Sequence, residues 1–298
     1  MTITSMKVIP HKRREVLEHD GNFDLTIASG YDPRKLPRLY PRMNFNPDDV
    51  PLWYPDRQFI IDLCQSKYWS LIMAGHKIVY LYVGGSRRAG VPEESSDYDL
   101  VAYTLDRETI HYPDVQLVYK GHIVHWYLMS LYQILTPDSN EGPDQYGTIL
   151  HLLDGPRQEI YKNPTYFPVM TVYDELPEVK YYAHKYMAKE LKYLIEPVFK
   201  ENSLRRDIAH KWIYYIMRSY YDIKGISIGD EERRLLLAGK AMAREELSLN
   251  DQYTIINMLK EYYKIIEELP PIDEDLLKLN WLRILNAKIK ECIENRDT

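Results

Sequence analysis

From position 56 onward the apolar residues Phe59, Ile60, Leu63, Cys64, Tyr68, Leu71 and Ile72 recur at steps of three and four. That is the period of one buried helical face, and Gly75 stands where such a helix would end on a left-handed cap. Positions 78–83 form an unbroken apolar run of strand length, as expected of a strand covered on both faces. A second strand is predicted over 98–104. Segments 114–119 and 123–129, separated by Lys120-Gly121-His122, read as a hairpin. Past the Pro-rich connection at 164–177 the period turns helical and stays so. It predicts helices near 178–195, 204–223, 230–246, 251–268 and 273–295, with breaks at Gly225 and Pro270-Pro271. Residues 1–52 are rich in Pro, Asn, Asp and Arg without sustained periodicity, and are expected to form an extended arm packed on the body. No internal repeat or low-complexity tract is present. The pattern divides the chain into an arm (1–52), an α/β segment (53–170) and a helical domain (171–298).

Composition changes this outline little. A chain of 298 residues with 45% hydrophobic and 28% charged content has the makeup of one large or two medium globular domains. No stretch approaches the roughly 18 apolar residues of a membrane span, so no membrane partner is expected. The first 14 residues lack the apolar core of a secretory signal. Cys64 and Cys292 lie far apart and match no metal spacing, so a reduced cytoplasmic protein is expected.

Charge is more informative locally than in total. A net charge of −6 argues against a protein that coats nucleic acid over a broad surface. Between positions 180 and 218, however, nine Lys/Arg stand against four acids, a local charge of +5. This is either a solvated helix face or a wall facing phosphates, with Lys185, Arg205 and Lys211 as candidate contacts. The 27 tyrosines against five phenylalanines fall mostly at helical or strand spacing, where they serve amphipathic packing. One or two of them are candidates for stacking on a base.

The densest chemistry is Gly84-Gly85-Ser86-Arg87-Arg88 at the end of the first central strand, followed by Asp97 and Asp99 at the start of the next. Residues two apart on a strand share a face, with Cα atoms about 6.5–7 Å apart. Both carboxylates can therefore reach a pair of cations standing roughly 3.5–4 Å apart. Magnesium favours a few carboxylates plus substrate phosphates over an all-protein cage, which suits two Mg2+ ions completed by a nucleoside triphosphate. Gly84 and Gly85 let the backbone approach phosphates, and Ser86 adds a hydroxyl and an N–H at the start of a helical turn. Arg87 and Arg88 are candidate contacts to phosphate oxygens. A Walker loop is excluded because no Gly-Lys-Ser/Thr follows the glycines. A Rossmann fingerprint is excluded because the G-x-G-x-x-G spacing is absent.

The run Gly85-Ser86-Arg87-x-x-Gly90-x-x-x-x-x-Ser96-Asp97-x-Asp99 resembles the signature of the DNA polymerase β-like nucleotidyltransferase superfamily, and more closely nucleotidyltransferases inferred from bacterial and bacteriophage genomes. The match covers about 78–131. Tyr181-Tyr182-Ala183-His184-Lys185, Arg205-x-x-x-Ala209-His210-x-x-x-Tyr214 and Leu235-Leu236-x-x-Gly239 are loosely similar to that family's helical domain. The resemblance implies an α/β (α+β) fold with a mixed sheet flanked by helices, and a C-terminal helical domain closing the nucleotide cleft. It also implies that Gly85 and Ser86 hold phosphates while Asp97 and Asp99 bind magnesium. Family members often carry a third carboxylate on a neighbouring strand, and by position that strand offers His125 instead. Three readings stay open: His125 serves as base or ligand, Asp114 supplies the acid, or activity is weak or lost.

Arg205 and His210 also fit the R-x4-H spacing that resembles the ribonuclease motif of HEPN helical domains, although five helical residues leave them roughly 140° apart. The expected function is a Mg2+-dependent transfer of a nucleoside monophosphate from a triphosphate to a hydroxyl of RNA, protein or a small molecule. The alternative is a catalytically silent module of the same fold, acting as a nucleotide-binding or antitoxin-like partner. The acceptor, the base and the oligomeric state are not readable.

Overall fold

The structure, a computed structural model, describes residues 15–19, 23–27, 45–50, 56–66, 75–88, 92, 96–107, 116–135, 159–204, 210–242 and 246–295. They fall into two compact units, one holding the sheet and the first helix, the other the helices from Pro164 onward.

The first unit contains the strands β1 (Glu15–His19), β2 (Phe23–Ile27), β3 (Ile78–Val83), β4 (Tyr98–Thr104), β5 (Gln116–Tyr119), β6 (His122–Ser130) and β7 (Glu159–Lys162), with helix α1 (Arg57–Gln65) before β3. The strands form one mixed sheet in the order β1-β2-β5-β6-β4-β3-β7. Only β4 and β6 pair in parallel, with Asp99 opposite His125; the other pairs are antiparallel. The β5–β6 hairpin turns on Lys120 (φ 48°) and Gly121 (φ 81°). Two consecutive positive φ values define the two-residue turn whose twist matches that of its strands.

The expected arm supplies β1 and β2, which extend the sheet beyond β5. Helix α1 ends at Gln65, where Ser66 turns to extended backbone (ψ 150°) and interrupts the expected run; Tyr68, Leu71 and Ile72, the rest of that run, lie outside the described residues.

Alternation along the pleat sorts the sheet into two faces. Leu81 and Val83 of β3, Tyr98, Leu100 and Ala102 of β4, and Val124, Trp126 and Leu128 of β6 share one apolar cluster with Ile60, Leu63 and Cys64 of α1. Asp99, His125 and Tyr127 are left for the opposite face, along with Tyr80 and Tyr82, whose rings both stack on Tyr103. At the far end of the strands, buried His76 contacts the Asp106 carboxylate at 2.9 Å, and the Ser130 hydroxyl donates to the Asp106 carbonyl at 2.5 Å. These contacts tie together the start of β3 and the ends of β4 and β6.

The second unit contains α2 (Glu178–Glu201), α3 (His210–Ile223), α4 (Asp230–Ala241), α5 (Leu249–Glu268) and α6 (Glu274–Glu294). All five expected helices are present, with ends shifted by a few residues. Helices α2 to α5 bury a shared core that includes Met187, Leu191, Ile213, Met217, Leu236, Leu259 and Tyr262. Inside it, fully buried His184 meets Asp222 at 3.1 Å and the Tyr262 hydroxyl at 3.3 Å, while Lys180 reaches the same Asp222 oxygen at 3.0 Å. Burial works against the Asp222 charge, but the hydrogen bonds from His184 and Lys180 hold its carboxyl below the ordinary range. Among the described residues no helix is long and apolar enough to cross a membrane.

Candidate metal centre

Strand β3 ends at Val83, and Gly84 is buried beneath the turn that follows. The Gly84 N–H donates to the Asp99 carbonyl at 2.6 Å, which seats the turn directly on β4. Gly85 then takes φ +64° and begins a single helical turn, Gly85–Arg88. A Cβ at Gly85 would lie 1.7 Å from Asp99 Oδ2 and 2.8 Å from its Cγ. Glycine is therefore required twice over, by the left-handed backbone and by the carboxylate pressed against its Cα. Ser86 is half-buried in the same turn.

Asp97 and Asp99, two apart at the start of β4, reach the same side, as pleat geometry requires. His125 joins them from β6 through the parallel pairing that sets it opposite Asp99. Its Nε2 lies 3.4 Å from Asp97 Oδ2, and both side chains are partly open to solvent (34% and 41%). One ligand atom from each of Asp97, Asp99 and His125 lies within 4.8 Å of the others, and this is the only such group of three among the described residues. Two carboxylates and an imidazole converging in a half-buried setting fit a divalent cation in both donor type and spacing. The position where an acid was sought thus holds His125 within reach of both aspartates. Asp114 lies outside the described residues.

Arg87 has a different task from the phosphate contact expected of it. Its Nε donates to the Asp97 carbonyl (3.1 Å), one terminal nitrogen to the Ser96 carbonyl (2.7 Å) and the other to Asp56 Oδ2 (2.8 Å). The guanidinium also lies 3.7 Å over the Tyr98 ring, and the side chain is only 9% exposed. Arg87 is thus a strut that pins the Ser96–Asp97 backbone to the residue preceding α1. Burial pushes the Tyr98 hydroxyl up to about 12, an effect that the adjacent Arg87 partly opposes. The partner Asp56 escaped sequence reasoning; it stands immediately before a helix, where an acid reads as an ordinary N-terminal cap.

Lys185 is likewise occupied. Its ammonium donates to the carbonyls of Leu269 (3.0 Å) and Pro270 (2.5 Å), closing the C-terminal end of α5. Within the basic run, Lys180 and Lys200 pair with Asp222 and Glu196. Arg205 lies outside the described residues. The side chains of Arg88, His210 and Lys211 also lie outside them, although their backbones are helical.

Neither a protein-family model nor a curated protein matches the sequence.

Proposed function

We propose that this chain is a divalent-cation-dependent nucleotidyltransferase that moves a nucleoside monophosphate from a triphosphate to a hydroxyl on RNA, a protein or a small molecule. One observation carries the reading: the Gly84-Gly85-Ser86 turn is seated on the strand that bears Asp97 and Asp99, with the Asp99 carboxylate against the Gly85 Cα. Bare glycine backbone beside paired carboxylates suits a phosphate chain and its cations, in keeping with the family likeness of the same residues. Bound divalent cations would neutralise phosphate charge and acidify the acceptor hydroxyl. Asp97, Asp99 and His125 would hold them, and Gly84 to Ser86 would give the phosphates close backbone approach. In the transfer the acceptor oxygen bonds to the α-phosphorus, the α–β anhydride bond breaks, pyrophosphate leaves and the hydroxyl proton is lost.

A silent binding module is the second reading, favoured by His125 standing where the resembled family often has an acid. The buried free thiols Cys64 and Cys292 are compatible with a reducing, cytoplasmic setting. The test is incubation with each labelled triphosphate, a divalent cation, and lysate split into RNA, protein and small-molecule fractions. Transfer predicts label in one fraction, lost with Asp97→Ala plus Asp99→Ala. Equal labelling by the double variant rejects the assignment, and label in no fraction favours the silent module.

A further inference from the structure

We propose that His125 makes this centre select a later first-row divalent cation, of the Co2+ to Zn2+ type, over Mg2+. The inference rests on the reading of Asp97 and Asp99 as cation ligands, and goes beyond it by assigning the class of ion and the residue that sets it. His125 is no loop residue that drifted near two acids. It occupies the middle of β6, and the parallel register holds its backbone opposite that of Asp99. Val124 and Trp126 on either side are buried on the opposite face of the sheet, so the strand cannot slip by one residue without exposing them.

The spacing suits direct ligation. Bonds of about 2.1 Å place neighbouring ligand atoms roughly 3.0–3.4 Å apart in octahedral or tetrahedral coordination. The Nε2 to Asp97 Oδ2 separation is 3.4 Å. Three protein ligands on a half-exposed surface leave the remaining positions for water or phosphate oxygens.

The donor set then decides between ions. Mg2+ is a hard cation that takes oxygen ligands and dehydrates reluctantly. Imidazole is a borderline nitrogen donor that suits the later first-row metals, whereas carboxylates alone accept Mg2+, Ca2+ and Mn2+ alike. Two carboxylates with one imidazole therefore shift the preference away from Mg2+, and the whole of that shift passes through His125.

The experiment uses the full chain, stripped with chelator and titrated separately with CoCl2, ZnCl2 and MgCl2 by calorimetry. Visible absorption of bound Co2+ reports nitrogen ligation independently of any transfer activity. Wild type is expected to bind Co2+ more tightly than Mg2+ and to show a Co2+ spectrum that His125→Ala changes. Losing an outer-shell partner alone weakens metal binding by about 10–100-fold. Loss of the imidazole should accordingly weaken Co2+ by at least about tenfold and Mg2+ much less. His125→Asp should keep an ion but bring the two affinities together; it also serves if the alanine variant fails to fold by circular dichroism. A Co2+ over Mg2+ ratio unchanged in both variants would show that the carboxylates alone set the preference, and would overturn the proposal. Selective Co2+ binding without any nucleotide transfer supports this assignment and rejects only the transferase reading. Transfer running equally well on Mg2+ in wild type and His125→Asp does the reverse.

Discussion

Replacing Gly85 by alanine tests the contact on which the centre is built. The new methyl group meets Asp99 Oδ2 at 1.7 Å and Asp99 Cγ at 2.8 Å, at a residue with φ +64°. A left-handed backbone costs a non-glycine residue about 1–2 kcal/mol. The overlap must be relieved either by swinging the Asp99 side chain away or by lifting the turn off the Gly84–Asp99 hydrogen bond, which is worth about 1 kcal/mol. Asp99 is half-buried and can rotate, so global stability should fall by only about 1–3 kcal/mol. Cation affinity should fall much further, by at least about tenfold, because a ligand has left its place. Gly121→Ala is the control: it carries the same kind of strain (φ +81°), but its methyl meets nothing within 4 Å. Urea denaturation should show comparable losses for the two variants, whereas calorimetric titration with Co2+ should separate them. A Gly85→Ala protein that binds cation like wild type would refute the geometry, whatever its stability.

Arg87→Ala removes a nearly buried guanidinium with three hydrogen bonds, and should lower unfolding free energy by about 3 kcal/mol; Arg87→Lys, lacking the planar fork, should recover little of it in urea titrations. Asp222→Ala removes the carboxylate from Nε2 of the fully buried His184 and from Lys180, and should cost about 2–3 kcal/mol at neutral pH. The Asp222 carboxyl is held below its ordinary value of 3.8 in the folded state. Its contribution is therefore fully present above that pH and is lost as pH falls through the folded value. Urea midpoints taken from pH 7 downward should draw closer for wild type and Asp222→Ala once pH falls below 3.8, and parallel curves would contradict this. Lys185→Met should leave triphosphate affinity unchanged while lowering thermal stability, because its ammonium serves the end of α5; a loss of affinity without loss of stability would restore it to the phosphate contacts.

Elements whose signal is local were legible along the chain. The apolar run of β3, the Lys120-Gly121 turn and the helical periods of α2 to α6 each declare themselves within a few residues. Strands β1, β2 and β7 do not: at four or five residues they are too short to show a period, and their partners lie far away in sequence. The interruption of the expected helical run at Ser66 has no local signal either, since the apolar spacing runs through it unchanged. The resemblance, which implies a third ligand on a neighbouring strand, led to His125, and the parallel pairing of β6 with β4 brings it opposite Asp99. Arg87 and Lys185 went the other way. A cation beside a glycine turn suggests phosphate, but side-chain reach is settled by Asp56 and by the carbonyls of Leu269 and Pro270, which no linear motif announces.

The parallel pairing of β4 with β6 would make a bound cation a witness to folding. Asp97 and Asp99 come as a pair on one strand, but His125, the proposed third ligand, joins them only when β6 pairs alongside β4 over the packed side chains of Leu100 and Trp126. An ion held by all three would favour the closed sheet over any state with β6 detached, by at most about 2.7 kcal/mol at a hundredfold excess over its Kd. Fragments ending before β6 would carry both aspartates and still lack that hold. Damage to the apolar face, at Trp126 for instance, should then be felt as weaker ion binding on the side that the core never touches.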